Sequence, residues 1–132
     1  TPDRVAGLAT LCGTGVDEQS AFVLGHPSGA LAVLSTAVRT ATHYDADLMG
    51  TDGRIRIHAS WYAPVRATIH AAGKEPEEIV FDAPPVSFVY QVDEVADCLR
   101  AGRLESAVLP LDESVAIMET MDRIRAPWGL VY

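Results

Sequence analysis

The sequence predicts an α+β domain: a largely antiparallel open β-sheet with helices packed on one face, the other face being used for dimerisation. Short runs rich in Val, Leu, Ala and Thr, separated by turn residues, occupy the chain up to residue 82. Helical periodicity follows only after these runs, and this order is typical of α+β folds rather than doubly wound sheets. The 132 residues, 48% of them hydrophobic, suit a single domain over 1–132.

Each predicted strand is bounded by turn residues. The strands cover residues 4–13, 18–25, 30–40, 47–50, 54–61, 66–72 and 78–82. The second and third are joined by His26-Pro27-Ser28-Gly29, where proline presets φ at the first corner and glycine accepts a left-handed closing residue. This pattern predicts a hairpin, and residues 50–53 and 73–76 predict further tight connections.

Two helices follow, and each shows one apolar face. The residues predicted to face inward are Val92, Val95, Ala96 and Leu99 in the first helix, and Val115, Met118, Met121 and Ile124 in the second. Gly102 is suited to close the first helix. The second begins near Asp112, after Pro110, and Pro127 is predicted to stop it.

The strands are apolar on consecutive positions, at residues 21–24 and 30–34, instead of alternating with polar residues. Both faces of such a sheet require cover, and two helices can cover only one of them. A large exposed apolar surface is rare on a soluble monomer. The sequence therefore predicts that the second face meets another copy of the chain, another domain, or both, with a homodimer through the open sheet face.

The composition excludes several classes of partner. The net charge of −8 and the pI near 4.8 disfavour nucleic acid and anionic lipid. The longest apolar stretches, such as residues 30–37, are too short for a bilayer, and no basic-then-apolar leader precedes them, so we expect no membrane contact and a cytoplasmic location. Cys12 and Cys98 are predicted to be reduced thiols rather than a disulfide. The start at Thr1-Pro2-Asp3, without a methionine, predicts a piece cut at a domain boundary.

A dinucleotide site needs a glycine-rich turn between a strand and a helix, where backbone amides hold the pyrophosphate. Gly13-Thr14-Gly15 is the only Gly-x-Gly in the sequence, and it lies between two predicted strands. A hairpin turn is therefore its predicted role. Any nicotinamide cofactor would be bound mostly outside this chain.

His43, Asp45 and Asp47 stand two apart, so an extended backbone would place them on one side, with the ligand types that a divalent metal accepts. The whole stretch 40–47 is polar, however, and a solvated loop between two strands explains it without a metal. We therefore expect no metal.

His58 and His70 alternate with apolar neighbours and are predicted to be hydrogen-bonded strand histidines.

Nucleophilic hydrolysis would require a serine on a strained turn with a base in reach. Ser28, Ser60, Ser87 and Ser106 lack that sequence context, which disfavours a hydrolase.

Four of the aromatic residues lie in two short stretches of the sequence, Trp61 with Tyr62 and Phe88 with Tyr90. They could form the wall of a ligand pocket or fill the core beneath the helices, and the sequence leaves both open.

Residues 94–106 read Glu-Val-Ala-Asp-Cys-Leu-Arg-Ala-Gly-Arg-Leu-Glu-Ser. This segment resembles the Glu-Val-x-x-Cys-Leu-x-x-Gly-x-x-Glu-Ser stretch in the dihydrodiol and D-xylose dehydrogenase branch of the Gfo/Idh/MocA oxidoreductases. The resemblance continues through residues 109–114, 118, 122–125 and 129–132, and includes residues 14–17 and 50–55 and Trp61 with Pro64. It spans nearly the whole chain and is specific in combination.

The resemblance implies a C-terminal substrate-binding and dimerisation domain whose N-terminal Rossmann domain, absent from this chain, binds NAD or NADP. The catalytic lysine and tyrosine of the family have no counterpart here, so no catalytic residue is assigned and the chain alone is predicted to be inactive. The full-length protein would be an NAD(P)-dependent dehydrogenase of a sugar, polyol or dihydrodiol, with Trp61 and Phe88 lining the substrate pocket. The alternative is a non-catalytic relative that keeps the sheet for assembly or ligand sensing.

Overall fold

A computed structural model describes residues 1–82 and 88–130, and in these ranges it contains seven strands, two α-helices and one 3₁₀ turn. The elements are β1 (Arg4–Leu11), β2 (Asp17–Gly25), β3 (Leu31–Ala37), β4 (Ala46–Gly50), β5 (Gly53–Ile57), β6 (Arg66–Ala71), β7 (Glu77–Val80), α1 (Val89–Arg100), α2 (Leu111–Arg125) and the 3₁₀ turn Ala126–Trp128. The predicted order of strands followed by helices is confirmed, and the α+β class with it.

The strands form two antiparallel sheets rather than the one sheet that was predicted. In the described residues β1, β2 and β3 pair in that order, and β4 to β7 pair in a second sheet. Within the residues that the structure describes, no ladder joins β3 to β4. The chain divides accordingly into a first unit, of residues 1–42 with the described residues from Val92 onward, and a second unit, His43–Gln91.

The first unit contains a sheet with two different faces. Strand register places Ala6, Val23 and Val33 side by side, and next to them Leu8 beside Ala21. We call this surface the open face; its exposed members are Arg4, Ala6, Leu8, Thr10, Gln19, Ala21, Val23, Leu31, Val33 and Ser35. All of these residues are exposed, Leu8 to 82% and Val33 to 80%. The open face is therefore mainly apolar, and nothing in the described chain covers it.

The opposite face of the same sheet carries Ser20, Phe22 and Leu24, which are buried or half-buried. Helix α2 lies on this side, and a cleft of about 240 Å³ is lined by Ser20 and Phe22 from β2 and by Met121 and Ile124 from α2. The prediction that helices cover one face is confirmed for α2. Dimerisation through the open face remains a prediction.

Side-chain hydrogen bonds attach the end of the chain to its beginning. The guanidinium of Arg123 donates to the carbonyl oxygens of Pro2 and Asp3, at 2.7 and 2.8 Å. The indole N–H of Trp128 donates to the carbonyl of Gly7 at 3.3 Å. These bonds fix α2 and the 3₁₀ turn against β1.

The prediction of which helix residues face inward is wrong for most of them. In α1 the exposed fractions of Val92, Val95 and Leu99 are 63%, 58% and 72%, while Cys98 is the buried residue. In α2 Ile124 is buried as predicted and Met121 lines the cleft beside β2 while 41% exposed, whereas Val115 and Met118 are exposed. Helical spacing identified an apolar stripe correctly, but the described chain contains nothing that covers it.

The predicted helix ends are largely confirmed. Gly102 adopts φ of 66° after α1, and its N–H donates to the carbonyl of Leu99 at 3.1 Å while the N–H of Arg103 donates to that of Cys98 at 2.9 Å. This is the Schellman arrangement that favours glycine. Helix α2 ends at Arg125, and Pro127 lies in the 3₁₀ turn that follows. Among the described helices, none combines the length and the apolar character needed to cross a membrane.

The second unit has strands that alternate between apolar and polar residues. Ile55 pairs with Ile69 on one face of the β5–β6 ladder. Arg54 pairs with His70 on the other face, and Arg56 lies opposite Asp47 of β4. This sheet thus has an aliphatic side and a charged side.

Candidate functional site

Trp61 and Phe88, the residues predicted to line a substrate pocket, both belong to the second unit. Trp61 lies in the segment between β5 and β6, and its backbone N–H donates to the carbonyl of Tyr44 at 2.8 Å. Its ring meets that of Tyr62 edge to face, with 6.1 Å between centroids and 83° between planes. Such geometry is favourable for aromatic pairs and holds both rings in defined positions.

These aromatic side chains are turned towards solvent. The exposed fractions are 53% for Trp61, 64% for Tyr62, 75% for Phe88 and 62% for Tyr90. The alternative that they fill the core beneath the helices is therefore wrong. Phe88 directly precedes α1, and it follows residues that lie outside the described ranges, Ser87 among them.

Asp45 and Asp47 bind a side chain that the sequence analysis did not single out. One guanidinium nitrogen of Arg56 pairs with Asp45 Oδ2, and the other lies 3.5 Å from Asp47 Oδ2. Among the described residues, no three His, Cys, Asp or Glu side chains gather as metal ligands would. Arg56 lies opposite Asp47 across the β4–β5 pair, and the tight turn predicted at residues 50–53 was the sequence signal that could have revealed this cluster.

His58 behaves as predicted. Its Nε2 lies 2.7 Å from Thr68 Oγ1, so the ring forms a hydrogen bond between the end of β5 and β6. His70 is half-buried on β6, opposite Arg54. Ser106, one of the serines considered as nucleophiles, donates to Glu94.

The segment that carries the family resemblance forms a hydrogen-bonded cluster. Glu94 Oε1 accepts from Ser106 Oγ at 2.7 Å and from Cys98 Sγ at 3.3 Å, with Arg103 at 3.9 Å. The hydrogen bond from Ser106, with the weaker one from Cys98, lowers the pKa of Glu94. Burial, with the carboxylate of Glu94 next to it, raises the pKa of the Cys98 thiol, which keeps it protonated. Cys12 and Cys98 are both free thiols.

A second bond extends this cluster to the next helix. Glu105 Oε2 accepts from the backbone N–H of Leu111 at 2.8 Å. Leu111 is the first residue of α2, so a carboxylate satisfies one of the unpaired amides there and also interacts favourably with the helix dipole. We conclude that the Glu, Cys and Ser positions of the motif connect α1, the following loop and α2, and that their role here is structural.

Gly13-Thr14-Gly15 forms the hairpin turn that was predicted. The N–H of Gly15 donates to the carbonyl of Cys12, and the N–H of Cys12 to that of Val16, both at 2.9 Å. Because a strand rather than a helix follows, the amides of this turn do not form a pyrophosphate site.

Comparison with known proteins shows what this chain is similar to. The chain is homologous to the C-terminal portion of sugar and dihydrodiol dehydrogenases, which confirms the predicted resemblance. It is 31% identical over 134 residues to D-xylose 1-dehydrogenase (NADP(+)) of Hypocrea jecorina, an alignment covering 90% of the chain and 34% of that protein. With trans-1,2-dihydrobenzene-1,2-diol dehydrogenase of Mus musculus the identity is 27% over 136 residues, covering 99% of the chain and 40% of the relative. No family model matches the chain.

A solved structure shares the fold. The crystal structure of aldose-aldose oxidoreductase from Caulobacter crescentus, complexed with glycerol, superposes with a TM-score of 0.73 at 19% identity. The superposition covers 98% of this chain and 41% of that one. The chain therefore spans between about a third and two-fifths of the proteins that it matches.

Proposed function

We propose that this chain is the C-terminal domain of an NAD(P)-dependent dehydrogenase that acts on a sugar, a polyol or a dihydrodiol. The observation that carries the proposal is the alignment of 90% to 99% of the chain with dehydrogenases of D-xylose and of a dihydrodiol. NAD or NADP would be bound mainly by an N-terminal Rossmann domain, since the Gly-x-Gly turn of this chain, at residues 13–15, leads into a strand and not into a helix. The domain would supply part of the substrate cleft and a dimer interface.

Exposed aromatic rings support the cleft role. Trp61 and Tyr62 hold each other edge to face, each with more than half of its surface accessible. The flat apolar face of a ring packs against the C–H face of a sugar or a cyclic diol, and polar neighbours can orient the hydroxyls. Phe88 provides a further exposed ring in the same unit. We assign the substrate contacts to Trp61 and Phe88.

The cofactor supplies the hydride chemistry, which passes between a carbinol carbon and the nicotinamide. The contribution of this chain is to bind and orient the substrate and to exclude water from one side of the cleft. We assign no catalytic residue to it. The 132-residue chain alone is therefore expected to be inactive with NADP and an aldose.

The open face of β1–β3 supports the dimer role. Val23 and Val33 are cross-strand neighbours on it, flanked by Leu8 and Leu31, which are exposed to 82% and 67%. A two-fold axis brings such a patch against its own copy, and two sheets pack face to face about 10 Å apart. The row of Ala6, Val23 and Val33 is aliphatic, with Arg4 in the next row, and an aliphatic patch beside a charged residue suits this arrangement. We propose that the partner is a second copy of the chain.

The exposed stripe of Val92, Val95 and Leu99 is a separate apolar surface, on a helix rather than on the sheet. A homodimer through the open face would leave it uncovered. We assign this stripe to the N-terminal Rossmann domain of the same protein. The two apolar surfaces would then have two different partners.

Substitution of Trp61 in the full-length protein tests the proposed function. We expect Trp61→Ala to raise the KM for an aldose by about two- to tenfold, since an aromatic contact contributes about 0.5–1.5 kcal/mol. Trp61→Phe keeps a ring face and should retain most of the affinity. An unchanged KM in Trp61→Ala, or turnover by the 132-residue chain alone, would contradict the proposal.

A further inference from the structure

The segment that carries Trp61 is held to the beginning of β4 by its backbone. The N–H of Trp61 donates to the carbonyl oxygen of Tyr44 at 2.8 Å. Tyr44 immediately precedes Asp45, and β4 begins at Ala46. The position of the Trp61 backbone therefore depends on where the short stretch before β4 is fixed.

That stretch is fixed by a side chain from the neighbouring strand. Arg56 of β5 pairs with Asp45 through one guanidinium nitrogen and approaches Asp47 with the other, at 3.5 Å. The planar guanidinium can hold two carboxylates at once, which an ammonium on a flexible stem does less well. The exposed fractions of these side chains are 37% for Arg56, 23% for Asp45 and 29% for Asp47, so the ion pairs are partly shielded from water.

We propose that Arg56 is a positioning residue for substrate binding, which acts through Asp45 and the Tyr44 carbonyl on Trp61. The inference rests on the proposed function, because it presupposes that Trp61 lines the substrate cleft. Arg56 would not touch the substrate. It would hold the aromatic wall in the orientation that the substrate needs, so that less conformational freedom is lost when the substrate binds.

The same sheet contains a matched control. Arg66 of β6 pairs with Glu78 of β7 at 3.2 Å, with exposed fractions of 48% and 53%. This ion pair also joins two neighbouring strands, but it does not involve the stretch before β4. Loss of Arg66 should therefore affect the stability of the sheet without affecting the placement of Trp61.

The test is the kinetics of the full-length enzyme with Arg56→Gln, Arg56→Lys and Arg66→Gln, using NADP and D-xylose. We expect Arg56→Gln to raise KM by about two- to tenfold, the range expected for loss of the aromatic contact itself. The kcat should change less than KM, since the wall binds the ground and transition states alike. Arg56→Lys should be intermediate, and Arg66→Gln should leave KM unchanged.

A double-mutant cycle separates positioning from a general structural effect. If Arg56 acts through Trp61, Arg56→Gln should add little to KM in a Trp61→Ala background, whereas independent effects would multiply. If Trp61→Ala raises KM and Arg56→Gln alone does not, the positioning role is overturned while the proposed function stands. If the two effects multiply, positioning through Trp61 is also overturned. If Trp61→Ala leaves KM unchanged, both fail.

Folding of each variant is checked by circular dichroism and thermal unfolding. Should Arg56→Gln fail to fold, Asp45→Asn removes the charge with which Arg56 pairs and serves in its place. The fluorescence of Trp61, measured as the difference from Trp61→Phe, gives a second readout. A shift of this emission in Arg56→Gln but not in Arg66→Gln is expected, and equal spectra would contradict the inference.

Discussion

The two units of the molecule expose different kinds of surface. The open face of the first unit is aliphatic, and its exposed positions include Leu8 and Val33. The second unit instead exposes the Trp61 and Tyr62 rings close in sequence to half-buried charged groups such as Arg56. Broad aliphatic surfaces favour association with protein, while rings beside polar groups suit a small polyhydroxylated ligand.

The two units also differ in what their polar clusters hold in place. In the first unit Glu94, Ser106 and Cys98 bond to one another and connect α1 to the loop after it. In the second unit Asp45 and Arg56 secure the backbone that leads to Trp61. The segment that carries the family resemblance, residues 94–106, therefore has a structural role, whereas the candidate ligand surface belongs to the second unit.

The largest expected effect concerns the apolar residues of the two helices, some of which are buried and others exposed in this chain. Ile124 is buried, whereas Leu99 is 72% exposed. We expect Ile124→Ala to lower the free energy of unfolding of the 132-residue chain by about 2–4 kcal/mol, and Leu99→Ala by less than about 1 kcal/mol. Urea unfolding measures both. Equal losses would mean that the stripe on α1 is already covered.

The polar cluster of the first unit can be tested through pH, with a smaller effect. The pKa of Glu94 is lowered in the folded chain, first by the hydrogen bond from Ser106. A lowered folded pKa means that the carboxylate stabilises the fold above the ordinary range of Glu, near pH 4.3, and that this contribution is lost as pH falls through the folded value. Glu94→Gln should therefore be less stable at neutral pH and lose less stability on acidification.

The measurement is thermal unfolding from about pH 6 to about pH 3, on both sides of the ordinary Glu pKa. Glu119→Gln, an exposed position on α2, is the matched control. If Glu94→Gln shows the same acid sensitivity as the unaltered chain, the cluster does not hold its carboxylate in the charged form.

Much of the fold was predictable because local signals agree with it. Turn residues delimit the strands, and glycine at position 29 closes the β2–β3 hairpin with φ of 87°. Helix starts and ends follow from Pro110, Gly102 and the acidic first turn of α2. The assignment of Trp61 to a substrate pocket came from the resemblance and stays a prediction; the side chain is 53% exposed.

The rest depended on contacts that no local pattern encodes. Apolar spacing identifies the stripe of Val92, Val95 and Leu99 but not what covers it, because burial depends on the tertiary neighbours. The break between the two sheets likewise depends on whether β3 and β4 find each other. The pairing of Arg56 with Asp45 requires the β4–β5 register, which the spacing of the aspartates alone does not determine.

We propose that the open face of β1–β3 is an interface between two copies of the chain. Light scattering of the 132-residue chain, unaltered and as Val33→Asp and Leu104→Asp, tests it most directly. Val33 is 80% exposed on the open face, and Leu104 is 99% exposed in the loop after α1. We predict a dimer for the unaltered chain and for Leu104→Asp, and a monomer for Val33→Asp, because an unpaired buried carboxylate is costly. A monomer at micromolar concentration for the unaltered chain, or a persistent dimer for Val33→Asp, would contradict the claim.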